Sequence, residues 1–196
     1  GLSNVETELA LNIADLWPAH LIGLGVISNG PTARLLTRFE EHLYRRSAAV
    51  SGQTKMIVGD IHSRVPHTPV YHWRNGADPQ RPVDADERRE WRVPWGVSAG
   101  GFVVGYAGNF GMSQGLELIL DAAAMVPDAR FVMVGDGYAR RQLVESAGRR
   151  RLTNVVWVLR QPHDAMPAIW ASFDCTVICL RRIPTFRGAV PSKLFE

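Results

Sequence analysis

Two rhythms of apolar residues divide the chain. From residue 102 onward, short apolar runs alternate with segments of helical period. The runs 102–107, 130–134 (RFVMV), 154–158 (NVVWV) and 174–179 read as strands, and 113–125, 138–149 and 163–172 as helices. The runs are nearly continuous in apolar residues, as strands covered on both faces should be. Strands alternating with helices predict right-handed βαβ units and a parallel sheet. The pattern counts four such units. The last is cut at Phe195-Glu196, just after helix signals resume at Pro191. A first helical turn with nothing to propagate into is a poor domain end, so the chain reads as an internal fragment.

The first half is less regular. Residues 7–14 (TELALNIA) suit a strand, with some helical ambiguity, and Asp15-Leu16-Trp17-Pro18 ends it. A short helix follows from His20. Asn29-Gly30-Pro31-Thr32 is a turn and helix start, and Leu35, Leu36, Phe39 and Leu43 form an apolar stripe that makes 32–47 the clearest helix here. Ala48–Ser51 is a brief apolar element. Thr54 can cap a helix to Arg64, with Met56, Ile57 and Ile61 inward. Residues 69–73 read as a strand and 74–76 as a turn. Residues 77–101 are rich in charge, Pro and Gly, with one short helix at 84–92. The pattern therefore predicts a first domain over 1–80, a linker over 81–101 and a second domain over 102–196.

Composition narrows the class. The 196 residues are 46% apolar and 21% charged, which suits soluble domains with real cores. No apolar run approaches the roughly 20 residues needed to cross a bilayer, and the first residues do not form a secretory signal. The net charge is +3, and Lys55 and Lys193 are the only lysines among scattered arginines. That balance permits an anionic small ligand or an acidic membrane surface and does not point to nucleic acid. Cys175 and Cys179 are expected on one face of a buried strand, too far apart for a disulfide and without the histidines of a zinc site. They give no sign of an oxidising compartment, so a cytoplasmic location is expected.

The candidate chemistry lies in GYAGNFGMSQGLELIL, residues 105–120. Gly108, Gly111 and Gly115 fill the turn between a strand and a helix. Ligands of open α/β sheets sit beyond the carboxyl ends of the strands, and free amides at a helix N-terminus favour an anion. The spacing G-x-x-G-x-x-G-x-x-x-G is neither a dinucleotide fingerprint nor a nucleoside triphosphatase loop. On spacing alone the glycines either hold a phosphate or only turn the chain. In the loop at 135–137, Asp136 is expected to cap the helix from 138. Lys193 and Glu196, three apart at a helix start, are either a surface ion pair or a ligand pair: the lysine for a diphosphate, the glutamate for ribose hydroxyls.

Several stretches in order resemble one family: DLWPAHLIGLGVISNG (15–30), LYRRSAAVSGQT (43–54), HWRNGAD (72–78), YAGNFGMSQGLELILDAA (106–123), FVMVGDG (131–137) and GAVPSKLFE (188–196). From about Asp15 to Glu196 the chain resembles a bacterial family 4 glycosyltransferase of GT-B fold. It is similar in particular to the surface-polysaccharide branch that includes amino-fucose and fucose transferases. The resemblance implies two Rossmann-like α/β domains with parallel sheets, both incomplete here: the later part of the acceptor-side domain and the opening of the donor-side domain. It implies retaining transfer of a sugar from a nucleoside-diphosphate donor (UDP- or GDP-sugar) to a lipid-linked glycan at the cytoplasmic face of the membrane. No metal and no cofactor are expected, because helix dipoles and basic side chains stabilise the leaving group in this fold.

Residue by residue, the resemblance places Gly108, Asn109, Gly111 and Gln114 at the donor diphosphate. Leu159–His163, with Arg160, falls at the nucleobase, Lys193 near the phosphates and Glu196 at the ribose. Asp15 and His20 fall on the acceptor side. The chain departs from the family where Asn109 and Gln114 replace a common Arg and Lys, where Gly188 replaces a second glutamate, and where Ala14 replaces a histidine. Charge neutralisation then rests on helix amides, Lys193 and Arg187. No catalytic base is assigned, and the leaving phosphate is left to take the proton. The isolated chain is expected to be inactive. Two other classes stay open: a nucleotide-sugar-binding module without turnover, and a sugar-nucleotide epimerase of the same fold. The epimerase would need carboxylates and a histidine clustered in the cleft, and the sequence offers no such cluster.

Overall fold

The computed structural model describes residues 8–77, 79, 81–98 and 100–195. The chain divides into two compact units, one made of Gly1–Ala77 with Arg182–Glu196 and the other of Asp78–Arg181. The sequence pattern gave 102–196 to one domain; here its last stretch groups with the first unit.

In the first unit, β1 (Ala10–Ile13), β2 (Ala49–Gly52) and β3 (Val70–His72) form a parallel sheet in the order β1-β2-β3. The helices are α1 (Ala19–Gly23), α2 (Pro31–Arg46) and α3 (Lys55–Arg64). Pro31 opens α2, where its missing N–H costs nothing. Thr54 caps α3 as expected, its hydroxyl accepting from the Ile57 amide at 3.3 Å. The core gathers Leu16, Tyr44, Val50, Ile57, Ile61 and Val65.

The expected apolar stripe of α2 does not face this core. Leu35 and Phe39 are exposed, whereas Ala33, Glu40 and Tyr44 are buried. The physical reason is a polar network that the sequence period does not show. Tyr44 donates to Glu40 at 2.6 Å. Arg64 of α3 also reaches Glu40, with Glu41 and Asp60 on its other nitrogens. The guanidinium lies 5.7 Å over the Tyr44 ring. A buried carboxylate becomes tolerable when paired and hydrogen-bonded in this way. Burial and the Glu40 hydrogen bond push the Tyr44 hydroxyl well above its ordinary range. The residues of 182–195 add two 3₁₀ turns, Pro184–Phe186 and Ser192–Leu194.

The second unit carries α4 (Ala85–Arg92), β4 (Val103–Ala107), α5 (Glu117–Met125), β5 (Arg130–Val134), α6 (Arg140–Arg149), β6 (Val155–Val158), α7 (Met166–Ala171) and β7 (Cys175–Thr176). The sheet is parallel throughout in the order β6-β5-β4-β7. Side chains alternate between its faces. Phe131 and Met133 join Tyr106, Phe110, Ile119, Leu120 and Leu143 on one side, and Val132 and Val134 join Val103, Trp95, Ile169 and Phe173 on the other. Gly105 lets the Phe173 ring lie directly on β4, where a Cβ would collide with it.

The expected linker is part of this second core. Asp84 caps α4 by accepting from the Asp86 and Glu87 amides at 3.0 and 2.8 Å. Asp86, Arg89 and Glu90 then face outward, while Trp91 and Trp95, four apart, stack toward Phe173 with ring centroids 6.2 and 5.6 Å apart. Asn154 is buried, with its side-chain nitrogen 2.9–3.1 Å from the carbonyls of Ala123, Val126 and Ala129. Strand β7 is shorter than the expected 174–179. Cys175 is exposed and Cys179 half-buried, rather than both buried, and neither forms a disulfide.

Candidate functional site

Sheet order fixes where a ligand can sit in the second unit. The chain runs outward through β4, β5 and β6, then returns to place β7 on the other side of β4. This order puts a topological switch point between β4 and β7, and ligands of open α/β sheets sit beyond the carboxyl ends of the strands at such a point. The glycine turn follows β4, and Arg181 ends the segment that follows β7.

The turn is braced from behind by the loop after β5. The Gly108 amide donates to Val134 at 3.0 Å, the Phe110 amide to Asp136 at 2.8 Å, and the Ala139 amide to Phe110 at 2.9 Å. Phe110 plants its ring in the core. Gly135 and Gly137, at φ 138° and 147°, make this approach possible; a Cβ on Gly135 would strike the Gly108 carbonyl oxygen, and one on Gly137 the Asn109 side chain. Tyr106 donates to the Asn109 carbonyl at 2.7 Å. Burial pushes the Tyr106 hydroxyl well above its ordinary range, so it remains a donor.

These bonds narrow the expected amide cradle. Among residues 109–114, the amides of Phe110 and Gln114 are taken, the second by the Gly111 carbonyl at 3.2 Å. Among the described residues, those of Asn109, Gly111, Met112 and Ser113 have no protein acceptor. Helix α5 also starts later than the expected residue 113. Gly115, at φ 62°, interrupts the turn, and the helix begins at Glu117. The open amides thus belong to the loop and not to the first helical turn. Asp136 does not cap α6 either: its carboxylate accepts from the adjacent Gly137 amide at 2.8 Å.

Sequence reasoning missed Arg181 as a member of this site. Its amide donates to the Ser113 carbonyl at 2.8 Å, and its side chain covers Gly115. The guanidinium is 3.7 Å from Glu117 at the start of α5 and stays partly exposed. A cation thus stands beside a loop that carries no charge at Asn109 or Gln114. The signal available beforehand was the pair Arg181-Arg182, one of the denser basic runs of the chain.

Gly108 and Asn109 are exposed, and Gly111 and Gln114 are half-buried, on one turn. Arg160 is exposed in the loop after β6, where Gln161 closes a local turn by donating to the Leu159 carbonyl at 3.0 Å. Lys193 is half-buried in the last 3₁₀ turn. It belongs to the first unit and the glycine turn to the second. Arg187 is exposed in the same segment. Glu196 lies outside the described residues. Gly188 cannot take the glutamate common in the resembled family, because any Cβ there would collide with Met56. Asp15 and His20 do meet, with His20 Nδ1 3.2 Å from an Asp15 oxygen. Among the described residues, no cluster of His, Cys, Asp and Glu could hold a metal, and no helix is long and apolar enough to cross a membrane.

Comparison with known proteins agrees with this geometry. The chain is 29% identical over 205 residues to WcaI of Escherichia coli (strain K12), assigned as a colanic acid biosynthesis glycosyl transferase; the match covers 98% of this chain and 49% of that protein. It is 30% identical over 156 residues to the 2-deoxystreptamine N-acetyl-D-glucosaminyltransferase of Streptomyces fradiae, covering 74% of this chain and 37% of the relative. The chain thus spans about half the length or less of these two relatives. Among solved structures, Anabaena Alr3699/HepE superposes with a TM-score of 0.68 at 19% identity, over 88% of this chain and 46% of that one. WaaG, a glycosyltransferase involved in lipopolysaccharide biosynthesis, gives 0.64 at 17% identity, over 87% and 50%. These likenesses establish the architecture as that of the GT-B glycosyltransferases, in agreement with the α/β parallel-sheet expectation. The sequence profile of "Glycosyl transferases group 1" matches residues 87–196, more than half of the chain, and the chain belongs to that family.

Proposed function

We propose that the protein to which this chain belongs is a retaining glycosyltransferase. It moves a sugar from a nucleoside-diphosphate donor to a lipid-linked glycan at the cytoplasmic face of the membrane, in surface polysaccharide synthesis. The observation that carries this reading is the braced glycine turn at the sheet's switch point, with open amides at Asn109 and Gly111–Ser113 and Arg181 seated on it. Open amides with a guanidinium beside them suit the charge that develops on a leaving diphosphate. HepE has been solved with UDP and with UDP-glucose, which supports a donor of that chemical class. The two curated relatives support glycosyl transfer, and the colanic acid assignment of WcaI favours a polysaccharide product.

In this reading the turn and Arg181 hold the diphosphate, and the loop with Arg160 meets the base. Lys193 adds positive charge, and Glu196 holds the ribose. Asn109 and Gln114 contribute no charge, so the amides and Arg181 take a larger share of the neutralisation. The acceptor oxygen attacks the anomeric carbon, and the departing diphosphate accepts its proton. Neither a metal nor a cofactor has a role.

Titration with UDP and GDP tests the donor site, with turnover of labelled donor by the natural gene product as the second measurement. Gly111→Val is the decisive variant. A Cβ at 111 meets the flexible Asn109 side chain at 3.2 Å and Ser113 Oγ at 3.8 Å, so the fold should survive while the ligand's approach is blocked. Expected is a loss of nucleotide affinity of about tenfold or more. Unchanged affinity would remove the diphosphate from this turn. Nucleotide binding without turnover on any acceptor would leave a binding module in place of an enzyme.

A further inference from the structure

The first unit contains a histidine that the donor site does not use. His20 is buried in α1, and both its ring nitrogens meet oxygen acceptors. Nδ1 lies 3.2 Å from Asp15 Oδ1, just upstream. Nε2 lies 3.2 Å from the Thr185 carbonyl, 165 residues away in sequence, and donates to it because a carbonyl only accepts. The Phe186 ring, itself buried, stands edge-on to the imidazole with centroids 4.7 Å apart and planes at 76°.

The surroundings are shaped for this contact. A Cβ on Gly23 would come within 2.8 Å of Thr185 Oγ1 and 3.2 Å of Ile183, so the turn rests against the helix where a side chain is lacking. Further on, Gly188 lies against Met56, the second residue of α3. The turn is closed by its own bonds, Phe186 amide to Ile183 at 3.0 Å and Ala189 amide to Phe186 at 3.1 Å. Among the described residues this segment has no strand or α-helix of its own, and the imidazole, the Phe186 ring and two close backbone approaches hold it against α1 and α3.

We propose that His20 is a positioning residue: with Asp15 behind it, it pins the turn Pro184–Phe186 to α1 and so fixes the course of the segment that carries Lys193. The proposal rests on the donor reading only for its consequence in catalysis. The pinning itself is a property of the first unit. His20 touches no substrate in this account. It sets where the segment runs, and the hydrogen bond to Thr185 is the link that determines it.

Hydrogen exchange on this chain tests the pinning, with His20→Ala and His20→Gln. A glutamine amide can still donate to the Thr185 carbonyl. In His20→Ala, peptides over 183–195 should exchange about tenfold faster, the loss of one buried hydrogen bond. In His20→Gln they should stay near the parent rate. Peptides over 49–64 and 130–158 should be unchanged in both. If 49–64 accelerates together with 183–195, His20 is an ordinary core residue and the proposal fails. It also fails if 183–195 does not respond, or if the glutamine variant responds as strongly as the alanine variant. In the natural gene product, His20→Ala should raise the donor KM several-fold with little change in kcat. Normal exchange with altered KM would overturn the pinning. Accelerated exchange with an unaltered KM would overturn the catalytic consequence while leaving the donor reading intact.

Discussion

The two sheets follow one βα grammar, yet they hold together differently. In the second unit, β4 and β5 lie between neighbours, and residues of β5 alternate between two apolar cores. In the first unit, β1 is an edge strand whose residues alternate between exposed and half-buried, and one core suffices. The order of the second sheet comes from non-directional burial on both faces. The first adds a directional device, the Glu40–Tyr44–Arg64 network between α2 and α3. Apolar burial tolerates volume-conserving change, whereas a buried charge network fails when one member is lost.

Three perturbations sharpen that comparison. The largest effect is expected from Gly135→Ala in the second unit. The new Cβ would strike the Gly108 carbonyl at a φ of 138°. Overpacking and backbone strain together should cost about 4 kcal/mol, read as a lower urea midpoint with the loss centred on β4 and β5. A neutral result would mean that the two loops are not in contact.

Arg64→Ala comes next. It leaves the Glu40 carboxylate buried without its cation. The cost should be about 3 kcal/mol, the low end for a broken buried pair because Arg64 keeps some solvent contact. Faster exchange should appear in α2 and α3 and not in β4–β6. Uniform acceleration would show that the two units do not unfold separately.

Acid is the mildest probe. Burial works to raise the Glu41 carboxyl, but hydrogen bonds from Arg45 and Arg64 outweigh it and hold it below the ordinary range. A carboxyl with a lowered folded pKa contributes stability above its unfolded value and loses it as the pH falls through the folded one. Protection of α2 and α3 should therefore decline on acidification below the ordinary carboxylate range. Glu41→Gln should flatten that decline, and an unchanged slope in the variant would dismiss the pairing.

Much of this was legible in the chain itself. Thr54 announced its helix because a cap is a local event within three residues. The runs RFVMV and NVVWV gave their strands because burial on both faces leaves no polar position. Failures occurred where a partner was distant in sequence. The stripe Leu35, Leu36, Phe39, Leu43 marks a helix correctly, yet which face turns inward was settled by Arg64, 24 residues beyond Glu40. Charge, Pro and Gly in 77–101 suggested a connection between domains, but the burial of Trp95 against Phe173 depends on a residue nearly 80 positions on. Arg181 was noticed as part of a basic pair, and only folding placed it on the glycine turn.

By itself, then, the sequence determined the succession of strands and helices, the parallel sheets and the family, because caps, periods and ordered motifs are written in neighbouring residues. The tertiary structure alone decided which amides of the turn stay open, which cation stands beside them, and that residues 182–195 group with the first unit, where Thr185 meets His20. Each of these depends on a hydrogen bond or close approach between positions far apart in the chain, and no local pattern encodes such a contact.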